Sequence, residues 1–232
     1  CLKSTEKIIS LAKKTNGRLH VFHLSTKEEA KLFDNQNDLK NKKITSEVCI
    51  HHLSFNDADY KTKGNFIKWN PSIKTIEDQN ALWDALISDK IDVIATDHAP
   101  HTFNEKNQLY VDCPSGGPLV QHSLYIMYEH FLEKRISLEK IVEKMCHNPA
   151  ILFNIKKRGF IREGFFADLV ILRKNQSWVI NKNNILYKCG WSPFEGKKIN
   201  SMITHTFVSG NLAYENGVFN QNIMGKKIEF IS

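Results

Sequence analysis

Imidazole and carboxylate groups recur where apolar runs of the chain end. His23 stands near the close of the run Leu19 to Leu24. His51 and His52 follow the β-branched run Ile44 to Ile50, and Asp97 follows Ile91 to Thr96. Imidazole and carboxylate are ordinary zinc ligands. A carboxylate beside a metal also accepts a proton and passes it to a leaving nitrogen, which an amide at position 97 would not do. Taken singly, each residue has a plainer role: a strand-end His forms structural hydrogen bonds, and an Asp there caps a helix. Two ligands do not make a zinc site, which needs three or four. His23 and Asp97 therefore point to a site whose other ligands lie elsewhere.

The elements that would position these groups alternate between strand and helix. Ser4 to Lys14 reads as an amphipathic helix with Ile8, Ile9, Leu11 and Ala12 as its apolar stripe. Leu19 to Leu24, Ile44 to Ile50 and Ile91 to Thr96 read as strands, and Thr75 to Ser88 as a helix with Ile76, Leu82, Ala85 and Leu86 inward. Strand, crossover helix, strand is the pattern of a parallel α/β sheet or barrel, and a (β/α)₈ barrel carries its catalytic residues at the C-terminal strand ends. Residues 102–118, containing Pro114-Ser115-Gly116-Gly117-Pro118, form a long loop beside the candidate site and are expected to act as a lid. Leu119 to Leu132 and Leu138 to Phe153 complete the helical part. After Ile155 short strands (Ala167 to Leu172, Trp178 to Ile180, Met202 to Val208, Leu212 to Tyr214) alternate with Gly, Asn and Pro. The expected division is residues 1–155 as barrel and 156–232 as a small β domain.

Composition narrows the function classes. The chain is 41% hydrophobic and 25% charged, ordinary for a globular protein. No apolar run approaches the ~18 residues needed to span a bilayer. The net charge of +7 comes from lysines dispersed among acidic residues, without a nucleic-acid motif, so a solvated surface or an anionic small substrate is expected rather than nucleic acid. Five cysteines, at 1, 49, 113, 146 and 189, form no CxxC pair; they fit a reducing cytosol and are expected to be buried small apolar residues.

Thr96-Asp97-His98-Ala99-Pro100-His101 resembles the signature at the end of the eighth barrel strand of dihydroorotases, within the amidohydrolase superfamily. His23-Leu24-Ser25-Thr26-Lys27-Glu28 is similar to the family's sixth-strand motif, and Ser46-Glu47-Val48-Cys49-Ile50-His51-His52-Leu53 to its seventh. Trp69-Asn70-Pro71 resembles the substrate-contacting turn and Pro114-Ser115-Gly116 the substrate loop; all five stand in family order. Ser72 and Lys74 depart from an Asn-Pro-Pro-Leu-Arg stretch common in relatives. The resemblance implies an α/β fold, with part of a (β/α)₈ TIM-type barrel and part of a small C-terminal β-sandwich domain. It implies two zinc ions per intact site, His23 as a ligand of one, and Asp97 as a ligand of the other and as general base and acid. Asn70 and His101 would hold the pyrimidine ring and its carboxylate, Ser115 and Gly116 would add loop contacts, and His98, His51 and His52 would only support. The substrate pair would be L-dihydroorotate and N-carbamoyl-L-aspartate. No His-x-His occurs in the chain. The family's remaining ligands, including a bridging carboxylate or carboxylated Lys, are therefore expected upstream, in an N-terminal part of roughly 200 residues. Other expectations are a cytoplasmic enzyme with no membrane partner and with homo-oligomerisation left open. Alternatives are a dihydropyrimidinase- or allantoinase-like hydrolase and a non-catalytic scaffold.

Overall fold

Parallel pairing joins the three apolar runs of the N-terminal half. The computed structural model describes residues 1–35 and 38–231. Strands β1 (Leu19–Val21), β2 (Ile44–Cys49) and β3 (Val93–Ala95) lie in the order β1-β2-β3, with Leu19 opposite Ile44 and Glu47 opposite Val93. Crossover segments with helices join them, as the alternation in the sequence predicts. The strands are shorter than the apolar runs. β1 stops at Val21 because Phe22 is exposed and His23 turns out of extended conformation; β3 stops at Ala95, two residues before Asp97 makes the same turn.

Local chemistry sets the helices. Thr75 caps Ile76–Ile87 through a capping box with Asp78, satisfying backbone N–H groups at the helix start. This helix buries Leu82, Trp83, Ala85 and Leu86, and the Trp83 indole N–H donates to the Leu53 carbonyl at 2.9 Å. Ile76, expected inward, is exposed. The first helix, Leu2–Thr15, buries Thr5, Ile9 and Ala12, while Ile8 and Leu11 stay exposed, so its expected stripe is only half covered. A buried ion pair, Lys42 Nζ to Asp92 at 2.8 Å, joins the approaches to β2 and β3; Asp92 also accepts from the Ser46 amide at 3.0 Å.

The chain divides into two compact units, Cys1–Met127 with Ile180–Lys197, and Tyr128–Val179 with Lys198–Ser232. The second holds an antiparallel sheet of β4 (Leu169–Val179), β5 (Lys198–Val208), β6 (Asn211–Glu215) and β7 (Val218–Phe219) in that order. Where the sequence shows two strand pieces flanking the polar stretch Lys174 to Ser177, β4 is one strand. A register shift between Lys174 and Trp178, with Asn175 at φ 61°, absorbs the polar residues as an irregularity of the ladder. The expected helix Leu138 to Phe153 is interrupted by a π-helical turn over Glu143–His147. In the first unit, the segment Ile180–Lys197 reaches the loop after β3: the Trp191 indole N–H donates to the His101 carbonyl at 2.7 Å, and the Tyr187 hydroxyl accepts from the Gln121 amide at 2.9 Å. All five cysteines are free, and Cys49 and Cys113 are buried as expected. Cys1 and Cys146 are exposed and Cys189 is half-buried, which corrects the expectation for those three. Among the described residues no helix is long and apolar enough to cross a membrane.

Candidate active site

His23 and Asp97 share a backbone conformation. Each follows a parallel strand and each is left-handed, at φ 42° and φ 47°. Non-glycine residues there cost on the order of 1–3 kcal/mol and concentrate at functional sites. The two side chains also sense each other. Burial pushes the Asp97 carboxyl above the usual carboxylate range, the His23 imidazole pulls it down, and Glu47 pushes it up again. Glu47, on β2, is engaged by His20 of β1, whose Nε2 lies 3.1 Å from the carboxylate while Nδ1 lies 2.9 Å from the Thr45 hydroxyl. Sequence reasoning assigned Glu47 and His20 no role. The available signal was a charged residue inside a strand whose other positions are largely apolar or small.

The end of β2 supports the turn that carries Asn70. His51 and His52 are buried, and burial lowers both pKa values, that of His52 to about 3. His52 Nε2 donates to the Pro71 carbonyl at 3.1 Å, and the His51 ring stacks on Trp69 with centroids 4.4 Å apart. Both histidines thus brace the Trp69-Asn70-Pro71 turn. Lys74 folds back to Ser72, donating to its carbonyl and hydroxyl at 2.8 Å each. Asn70 itself is exposed, and among the described residues its side chain has no hydrogen-bond partner.

The loop after β3 draws three more candidates together. His101 Nε2 lies 3.1 Å from the Ser115 carbonyl oxygen; because that oxygen only accepts, Nε2 carries the proton. Gly116 sits at φ 119°, where an added Cβ would lie 2.6 Å from the Ala99 carbonyl oxygen, so neither the backbone angle nor the space admits a side chain. Its amide donates to the Lys68 carbonyl at 2.9 Å. His98 Nδ1 accepts from the amides of Leu119 (3.0 Å) and Val120 (3.3 Å), which fixes the Nε2–H tautomer and holds the loop's far end to the Asp97 segment. The structure thus joins His101 to Ser115, next to Gly116, while His23 is tied to Asp97 only through its charge influence on that carboxyl. Asn70 is joined to neither group by a side-chain bond.

His23 and Asp97 have the donor chemistry of a zinc ligand pair, but not the number. Among the described residues no group of three or more His, Cys, Asp or Glu side chains is placed to hold a metal ion. The residues present fit part of a metal site, and the described residues do not complete one.

Comparison with known proteins gives the family. The chain is 36% identical over 208 residues to the dihydroorotase of Endomicrobium trichonymphae, covering 89% of this chain and 49% of that protein. It is also 36% identical over 208 residues to the dihydroorotase of Carboxydothermus hydrogenoformans, covering 89% and 48%. Among solved structures, the L-hydantoinase (dihydropyrimidinase) of Arthrobacter aurescens superposes with a TM-score of 0.85 at 27% identity, over 94% of this chain and 49% of that one. The chain thus spans about half the length of the relatives it matches. Its fold is α/β, part of a TIM-type barrel with part of a small β domain. The profile of the amidohydrolase family matches residues 5–213, and the chain belongs to that family.

Proposed function

We propose that this chain supplies the C-terminal half of a zinc-dependent dihydroorotase, which interconverts L-dihydroorotate and N-carbamoyl-L-aspartate in pyrimidine biosynthesis. The observation that carries the reading is that His23 and Asp97 are both left-handed, just past the ends of β1 and β3, with the His23 imidazole pulling the Asp97 pKa down, beside a loop that joins His101 to Ser115. Two zinc ions, with further ligands from the half of the barrel outside residues 1–155, would polarise the amide carbonyl and acidify water when bound. His23 and Asp97 would each hold one of them. Asp97 would also take the proton from the attacking water and deliver it to the ring nitrogen as the carbon–nitrogen bond breaks. Asn70, exposed and without a side-chain partner among the described residues, would bond the ring; His101, Ser115 and Gly116 would line the other side. The small-molecule substrate is the partner of this site, and residues 102–118 would cover it.

The hydantoinase superposition favours a second reading, hydrolysis of a related cyclic amide. A substrate panel on the protein carrying the whole barrel separates the two. Ring opening of dihydroorotate in preference to dihydrouracil, hydantoin or allantoin supports the first reading, and the reverse preference replaces it. Inactivity on all four with metal supplied favours a non-catalytic scaffold.

A further inference from the structure

Inside the loop 102–118, a buried amine faces a buried thiol. Lys106 closes the short helix Phe103–Lys106 and is fully buried; its Nζ donates to the carbonyls of Lys68 at 3.2 Å and Pro114 at 2.9 Å. Cys113, 2% exposed, places Sγ 3.4 Å from the same Pro114 oxygen. Amine and thiol therefore converge on one acceptor, the Pro114 carbonyl oxygen. Among the described residues no carboxylate pairs with Lys106. Burial, the largest influence, drives it toward the neutral amine, with the Lys68 ammonium adding to that and the thiol opposing it. A neutral amine has the lone pair that an ammonium lacks, and a buried lysine adopts that form readily.

We propose that Lys106 and Cys113 form a covalent nitrogen–sulfur cross-link under hydrogen peroxide, reversible by thiols. Peroxide first converts the Cys113 thiol to a sulfenic acid and is reduced to water. The Lys106 Nζ lone pair then attacks the sulfenyl sulfur. The sulfur–oxygen bond breaks, and the departing hydroxide takes a proton from nitrogen as a second water. The chain is left with an Nζ–Sγ bond and two hydrogens fewer. Reversal consumes two thiols: the first attacks sulfur and releases the amine, and the second resolves the mixed disulfide, giving back Cys113 and leaving the two thiols joined as a disulfide. Leu109 and Val111 at the loop tip are exposed, and opening of this tip would admit peroxide to Cys113, where the neighbouring amine would compete with further oxidation of sulfur. The bond would fix Lys106 to Cys113 between His101 and Ser115. The cross-link itself does not depend on the catalytic reading.

The test is peptide mapping of the protein carrying the whole barrel after hydrogen peroxide treatment and alkylation of remaining thiols. The expected product is a peptide joining Lys106 to Cys113, lighter by two hydrogens, uncut after Lys106 by trypsin and restored by dithiothreitol. Lys106→Arg keeps the positive charge but removes the amine, and should abolish that product while Cys113 proceeds to sulfinic acid. Cys113 found only alkylated, over-oxidised or disulfide-bonded in the unmodified chain would overturn the proposal. A cross-link at Cys113 that persists in Lys106→Arg would overturn the assignment to Lys106.

Discussion

His101 Nε2 and the Ser115 carbonyl oxygen lie 3.1 Å apart, so a ring expected at the substrate also tethers the loop expected to cover it. The Trp191 indole holds the other face of this joint by bonding the His101 carbonyl at 2.7 Å. Replacing His101 by Ala in the protein carrying the whole barrel removes tether and substrate contact together. The expected result is a raised KM and a kcat/KM lower by roughly 10- to 100-fold, the range for a hydrogen bond to a charged group. An unchanged KM would place His101 outside the substrate site.

Asp97→Asn separates chemistry from folding. Asparagine tolerates the left-handed backbone at φ 47° as well as aspartate does, so the fold has no reason to fail. The amide neither accepts the proton nor binds a metal as a carboxylate does. We expect kcat to fall by roughly 10²–10⁴-fold, the usual contribution of a general acid–base group, with circular dichroism and melting temperature unchanged. Near-normal turnover would remove Asp97 from the mechanism.

Gly116→Ala probes the loop's backbone. The new methyl would meet the Ala99 carbonyl oxygen at 2.6 Å in a conformation that already disfavours side chains. A destabilisation above about 1 kcal/mol is expected, because steric overlap adds to the backbone penalty. The cost should appear in urea unfolding midpoints. Gly164→Ala, also at positive φ but in open space, should lose only the backbone part, and equal losses at both sites would mean that the contact with Ala99 contributes nothing.

These predictions rest on features that differ in how far the sequence displays them. His23 and Asp97 are visible because apolar runs end beside them, and local patterning alone locates a strand end. Glu47 and His20 are harder to see: their partnership is a cross-strand contact between β1 and β2, and nothing local marks it. Trp191 reaches His101 across ninety residues and Tyr187 reaches Gln121 across sixty-six, so the segment Ile180–Lys197 leaves no periodicity that would assign it beside the loop. The polar stretch within β4 breaks the alternation that identifies strands, although backbone pairing with β5 resumes beyond it.

Acid should weaken the fold through histidines buried in neutral form. His122 is fully buried, its Nδ1 lies 3.1 Å from the Ser192 hydroxyl, and burial lowers its pKa to about 4; His52 is lowered to about 3. In the unfolded chain both titrate near 6.5. Above that pH neither state binds the proton, and the neutral native ring costs nothing. Between 6.5 and about 4 the unfolded chain binds a proton at position 122 that the native state refuses, so stability falls as pH falls. Each such group contributes a slope of at most about 1.4 kcal/mol per pH unit, and His122 levels off once the native ring titrates as well. Urea unfolding free energies measured from pH 7.5 to 4.5 should therefore decline, and His122→Gln should make the decline shallower by up to about 1.4 kcal/mol per unit below pH 6. An identical slope in that variant would show that the ring at 122 takes up its proton without opening the core around Ser192.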